Sequence, residues 1–255
     1  MISPLFIAHG SPMMAIDDNE CALFLQEYGR TLKPKAIVLF SAHWETEVTA
    51  ISSSDEVYET IYDFGGFPKE LFEVVYPARG SSEVASVVAE RFEAAGIDYV
   101  KNTNRGLDHG SWVVLSRLFP DADIPVVQLS VNPYAPAEQQ YRIGEALRGL
   151  CEQDILVIGS GATVHNLRIL NWGSTAVEPW AVAFDDWIVD RMQKRQLDDL
   201  FHYEERAPEA RRAVPRAEHF VPILIAFGSG DPDHEPEVIH RSYEFGSLSY
   251  LCMKF

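Results

Sequence analysis

The sequence predicts an α/β fold: a single domain with a central, mostly parallel mixed sheet flanked by helices. Three observations carry this expectation. Short apolar runs bounded by turn residues alternate with segments of helical periodicity. The 255 residues hold no obvious linker, internal repeat or low-complexity tract, which suits one domain. Hydrophobic residues make up 47% and charged residues 23%, and a core of that size can be buried without disulfides or structural metal.

Taken in order, residues 4–8 form the first apolar run and read as a strand. Asp17 or Asp18 can cap a helix reaching Thr31. Residues 36–42 are a long apolar run and the clearest inner strand, followed by a shorter one at 48–52. Ser81 or Ser82 can cap a helix with the apolar face Val84, Val87, Val88, Phe92 and Ala95, closed by Gly96. A strand at 98–101 and a short helix at 110–119 follow. Residues 124–131 make the next strand, and Pro136 suits the first turn of a helix through Leu150. The run at 155–159 is another strand, ending in a Gly159-Ser160-Gly161 turn. Trp180, Phe184, Trp187, Ile188 and Met192 make the stripe of a helix starting near Glu178. Residues 219–227 read as a buried helix that tolerates Pro222 in its first turn. Partial alternation at 247–253 gives a last strand. Segments 52–80 and 200–218 lack periodicity and read as long loops, which in a compact domain are usually functional.

The formal net charge is -17. Such a chain repels phosphate backbones and anionic lipid surfaces, so neither nucleic acid nor membrane is expected as a partner. The only cysteines are Cys21, Cys151 and Cys252, with no Cys-x-x-Cys pair. That argues against a disulfide framework and a cysteine zinc site, and fits a reducing cytoplasm. No secretory signal pattern opens the sequence, and no apolar run approaches the ~20 residues that span a bilayer.

Four stretches set a histidine at a break in structure: His9 after the first apolar run, His43 after the second, His165 beyond Gly159-Ser160-Gly161, and His219 opening the apolar segment 219–227. In an open α/β sheet the carboxyl ends of strands converge on the ligand crevice, and histidine is the commonest metal-ligating side chain. A metal site at the strand C-terminal ends is therefore expected. His9 and His43 are its first two candidates, and His219 or the neighbouring Glu218 the third. His165 is a fourth ligand or an acid/base. His109, in Gly106-Leu107-Asp108-His109-Gly110, either belongs to the site, with Asp108 or a neighbour orienting its ring, or marks a helix cap. His202, His234 and His240 sit in polar contexts and read as surface residues. No phosphate loop, no Gly-x-Ser-x-Gly elbow and no His-Glu-x-x-His is present, and Val164 breaks the dinucleotide fingerprint begun at Gly159.

Several motifs, kept in order, resemble the class III extradiol ring-cleavage dioxygenases, in particular the 4,5-DOPA dioxygenase extradiol type. They are His9-Gly10-Ser11-Pro12, Ser41-Ala42-His43-Trp44-Glu45, Tyr62-Asp63-Phe64-Gly65-Gly66-Phe67-Pro68, Tyr76-Pro77-Ala78, Gly106 to Gly110, Pro125 to Ser130, Gly159-Ser160-Gly161 with His165-Asn166, and Glu218-His219 with Pro222. The resemblance spans nearly the whole chain and implies one catalytic domain over residues 1–255. It implies one divalent metal held by His9, His43 and His219, with His165 at the metal as acid/base or extra ligand and His109 beside it. Fe(II) is expected for turnover and Zn(II) in isolated protein. The substrates would be a catechol and O2, the product a muconic semialdehyde, and the protein a monomer or small homo-oligomer. Phe64 and Phe67, with Ser11, are the expected substrate contacts, although the aromatic loop would serve equally as packed apolar cover. An anionic substrate would need a local cation, for which Arg79, Arg105 and Arg168 are candidates. The alternatives are a zinc-dependent hydrolase or a non-catalytic metal-binding protein on the same scaffold.

Overall fold

The computed structural model describes residues 2–255. There are ten strands and nine α-helices among these residues, strand and helix alternating for most of the first 193 and the last five helices preceding the last four strands. The strands are β1 (Leu5–Ala8), β2 (Ala36–Glu45), β3 (Thr49–Ser52), β4 (Tyr99–Asn102), β5 (Val126–Val131), β6 (Ile155–Gly161), β7 (Glu237–His240), β8 (Tyr243–Glu244), β9 (Leu248–Ser249) and β10 (Cys252–Lys254). The helices are α1 (Glu20–Thr31), α2 (Ser82–Ala95), α3 (His109–Leu118), α4 (Ala137–Ala146), α5 (Pro179–Gln193), α6 (Leu197–Phe201), α7 (Tyr203–Arg206), α8 (Ala210–Ala213) and α9 (Val221–Ser229).

Eight strands form one sheet in the order β4-β3-β5-β2-β6-β1-β10-β7. Its centre, β5-β2-β6-β1, is parallel throughout, so these four strands end on one edge. Their burial on both faces explains why they read as continuous apolar runs. Alternate residues serve opposite faces: Leu5, Ile7, Ile37 and Leu39 join the cluster under α1 and α3. Phe6 packs in the cluster with α5 and α9, and Val38 and Phe40 in the one with α2 and α4. The outer strands are mixed: β3 is antiparallel to β5, and β10 to β1 and β7.

Several expected boundaries move. Asn19, rather than Asp17 or Asp18, caps α1, its side chain accepting from the Ala22 N–H. Asp18 instead pairs with Arg117. Ser81 caps α2 through the Val84 N–H, and Gly96 closes it at φ +66. The buried face of α2 is Ala85, Val88, Ala89 and Phe92; Ala95 is exposed, because the stripe turns off the sheet before the last turn. Helix α4 stops at Ala146, four residues short of Leu150, where Gly149 at φ +85 begins a 3-10 turn. The expected strand at 247–253 is two short strands, β9 and β10, in different sheets. Gly159-Ser160-Gly161 is not a turn but the buried end of β6. Segment 200–218 is not an irregular loop: α7 and α8 lie within it, and each of α6 to α8 is too short to show a period. His240 is half-buried, its ring stacked on Phe24 at 4.9 Å. His202 and His234 are exposed, as expected.

Candidate metal centre

Three elements deliver three imidazoles to the carboxyl edge of the parallel strands. His9 directly follows β1. Its exit is a sharp turn in which Gly10 has φ +52 and a Cβ would lie 2.1 Å from the Tyr250 ring, so only glycine fits. His43 lies on β2 where pairing with β5 loses register: Phe40 opposes Leu129 but Glu45 opposes Val131, five steps on one strand against two on the other. Such an irregularity re-aims a side chain. His219 ends a 3-10 turn just before α9. Its carbonyl accepts from the Ala162 N–H at 2.8 Å. The turn sits so close to β6 that a Cβ on Gly161 would come within 2.1 Å of that oxygen.

The three rings meet. Ligand atoms of His9, His43 and His219 all lie within 4.8 Å of one another. His9 and His219 are buried. The hydrogen-bond network assigns each tautomer. Ser160 Oγ donates to the Gly110 carbonyl, so its lone pair accepts from His9 Nδ1 at 3.0 Å. Glu218 Oε1 accepts from His219 Nδ1 at 3.1 Å. Asp63 Oδ2 lies 3.3 Å from His43 Nδ1. Each Nδ1 therefore carries the proton, and each Nε2 offers a bare lone pair to the shared space. Buried His219 Nε2 has no hydrogen-bond partner among the described residues. His9 Nε2 and His43 Nε2 lie 3.1 Å apart. Two bare lone pairs at that distance cannot bond each other, but they can share a cation: nitrogens about 2.0–2.1 Å from one ion sit roughly 3 Å apart. The donor set thus fits a divalent metal. A carboxylate or hydroxyl behind each ring is the usual support of a metal-binding histidine.

Charge follows the same logic. Burial, then neighbouring histidines, push His9 and His219 well below the ordinary histidine range. Both are neutral and ready to ligate at neutral pH. Glu218 is not a third ligand in this arrangement but the acceptor behind His219; burial raises its carboxyl.

His109 and His165 flank the triad differently. His109 opens α3, capped by Asp108, whose carboxylate accepts from the Ser111 N–H. The His109 ring is oriented by Asp63 rather than by Asp108: Asp63 Oδ1 accepts from both its Nδ1, at 2.9 Å, and its backbone N–H, at 3.0 Å. Burial raises the Asp63 carboxyl, but the bonds from His109 and His43 together outweigh it and hold it well below the usual carboxylate range. Asp108 is fully buried and serves Ser41, Gln128 and Arg105. His165 stacks flat on His219, centroids 3.6 Å apart and planes at 9°. It shares a possible ligand group with Glu218 and His219, not with His9 and His43. Burial, then His43 and His109, bring its pKa down to about 4.

Of the expected substrate contacts, Phe64 stands edge-on to His109 at 5.5 Å and packs on Phe67 at 5.4 Å. The aromatic loop therefore does both things the sequence allowed: it packs on the core and it reaches the histidines. The Ser11 hydroxyl accepts from the Met13 N–H and caps a 3-10 turn. Arg105 is committed to Asp108 and the His43 carbonyl, Arg79 reaches the Asp55 carbonyl, and Arg168 is exposed. Sequence reasoning assigned no role to Asp63 or Ser160. The signal for Asp63 was its place as the one acid within the aromatic, glycine-rich stretch Tyr62 to Pro68; Ser160 gave none.

Residues 4–253 match the family described as the catalytic LigB subunit of aromatic ring-opening dioxygenase. The chain belongs to this family. The chain is 40% identical to the 4,5-DOPA dioxygenase extradiol of Beta vulgaris, over 98% of its own length and 95% of that protein. It is 36% identical to the protein of the same name from Escherichia coli K12, over 98% and 93%. The crystal structure of an uncharacterized protein from Escherichia coli K12 superposes with a TM-score of 0.85 at 32% identity, covering all of both chains. The membership read from the motifs, in the class III extradiol dioxygenases of 4,5-DOPA type, holds. Among the described residues no helix is long and apolar enough to cross a membrane.

Proposed function

We propose that the protein, as a single catalytic domain, opens the ring of a DOPA-like catechol or related ortho-diol with O2, giving a muconic semialdehyde, and that one divalent metal serves the reaction. The observation that carries this reading is the convergence of three Nε2 atoms, on His9, His43 and His219, each with its Nδ1 turned away from the shared space toward a hydroxyl or carboxylate oxygen. Three ligands on one face leave room for a diol and a gas molecule. When bound, such a metal would supply the Lewis acidity that lets a diol bind deprotonated; Fe(II) would be needed for turnover, and an all-histidine set would hold Zn(II) as well.

The chain's own residues divide the remaining work. His165 is neutral at pH 7 and can take a proton on a ring nitrogen, the role of a general base. His109, its Nδ1 proton held by Asp63, keeps Nε2 free for a group bound in the site. Phe64, edge-on to His109, would cover an aromatic ring and exclude water. Three cysteines, two of them buried, are compatible with a reducing cytoplasm as the working compartment.

Anaerobic reconstitution with Fe(II), followed by a panel of catechols including DOPA and then air, tests the reading. Oxygen uptake with growth of a yellow product is expected for at least one catechol. His9→Ala should abolish both metal content and turnover. Ester or amide hydrolysis with zinc, and no oxygen uptake with iron for any catechol, would replace the dioxygenase by a hydrolase.

A further inference from the structure

One carboxylate, on Asp63, faces two histidines of the site at once. Its Oδ1 accepts from His109 Nδ1 and the His109 backbone N–H, at 2.9 and 3.0 Å. Its Oδ2 lies 3.3 Å from His43 Nδ1. The two rings are in contact, centroids 3.8 Å apart. Asp63 comes from the aromatic loop, between Tyr62, whose hydroxyl donates to the Val74 carbonyl, and Phe64, which packs on Trp112. Asp63 lies twenty positions from His43, on a loop separate from the strand β2 that carries that histidine.

We propose that Asp63 is a positioning residue that sets the tautomers of His43 and His109 together, keeping both Nε2 atoms unprotonated toward the site and tying the aromatic loop to the metal-binding nitrogens. The inference rests on the metal-centre reading above. An ionised carboxylate only accepts hydrogen bonds, so both Nδ1 atoms must be the protonated ones. An asparagine in its place has one accepting and one donating end. The accepting end belongs beside His109, where two N–H groups point at it. The donating end then faces His43 Nδ1, which must give up its proton to Nε2. His43 Nε2–H cannot ligate. Alanine imposes no such constraint and leaves the His43 ring free to take either tautomer.

The order of effects is therefore opposite to that of size. Zn2+ affinity of the metal-free chain, read by chelator competition, should fall about 10–100-fold in Asp63→Asn, and less in Asp63→Ala. Nitrogen-15 imidazole spectra of the same metal-free proteins should show His43 protonated on Nδ1 in the wild type and on Nε2 in Asp63→Asn. Circular dichroism controls for folding. A structural role alone would make alanine the worse substitution, and a metal held directly by Asp63 would make the two equal; either ranking overturns the proposal, as does an unchanged His43 tautomer in Asp63→Asn. His9→Ala separates the two readings: if it retains zinc, the metal-centre reading falls, while the His43 spectrum still decides the role of Asp63.

Discussion

Ser160 shows how one hydroxyl can decide what a buried ring offers. Its proton is spent on the Gly110 carbonyl, so it can only accept from His9 Nδ1. Ser160→Ala removes the acceptor that the described residues offer that nitrogen and frees the ring proton to move to Nε2. Zn2+ affinity measured by chelator competition should drop about 10–100-fold, with far-ultraviolet circular dichroism unchanged. At this scale the sequence was legible where a residue's neighbours in the chain carry the signal. His9 and His43 stand at the ends of apolar strands, and His219 just precedes an apolar helix, so their place at the strand ends could be anticipated. The partners that fix their tautomers could not. Ser160 lies 151 positions from His9, and Asp63 lies 46 positions from His109, distances at which no periodicity or spacing rule connects two residues.

Between elements, the decisive contact is the packing of β6 against the start of α9. A Cβ at Gly159 would come within 2.2 Å of the Pro222 carbonyl, and one at Gly161 within 2.1 Å of the His219 carbonyl. Both obstacles are backbone, which cannot swing aside. Gly161→Ala should therefore destabilise the fold by about 1–3 kcal/mol and also weaken zinc binding, because the turn bearing His219 must retreat. Urea unfolding of the metal-free chain, paired with a zinc titration, measures both. Gly96→Ala is the contrast: there φ is positive, at +66, but a Cβ meets no atom of the described residues within 4 Å, so only the fold should lose stability. These glycines explain why the sequence misled at 159–161. Two glycines around a serine resemble a turn in one dimension, whereas here they are a strand thinned to admit a helix. The inner strands were legible because burial on both faces leaves continuous apolar runs. The helices α6 to α8 were not, since one turn cannot display a 3.6-residue period.

For the whole molecule, burying several imidazoles without a metal makes stability depend on acid. His9, His109, His165 and His219 all have folded pKa values below the unfolded value of about 6.5. Between that value and the folded one, about 4 for His165, the unfolded chain binds more protons than the folded one. Stability is therefore full above about pH 6.5 and is lost as pH falls through this window, by of order 1 kcal/mol per pH unit for each histidine. Glu218 and Asp185, whose carboxyls burial raises, oppose the trend. The melting temperature of the metal-free chain should thus fall from pH 7 to pH 5, and less steeply in His165→Gln. Saturating zinc should raise it most at pH 7, because protons compete with the ion for the same lone pairs.

The sheet order has a further consequence for how the molecule is made. Leu5 to Ala8 leave the ribosome before either neighbour of the strand they form: it is flanked by β6 and β10, whose residues are synthesised roughly 150 and 250 positions later. Until β6 is made this apolar segment has no pairing partner on either side, and until β10 is made one of its edges stays open. It is the stretch of nascent chain that a chaperone must shield, and the one through which incomplete copies would stick to each other.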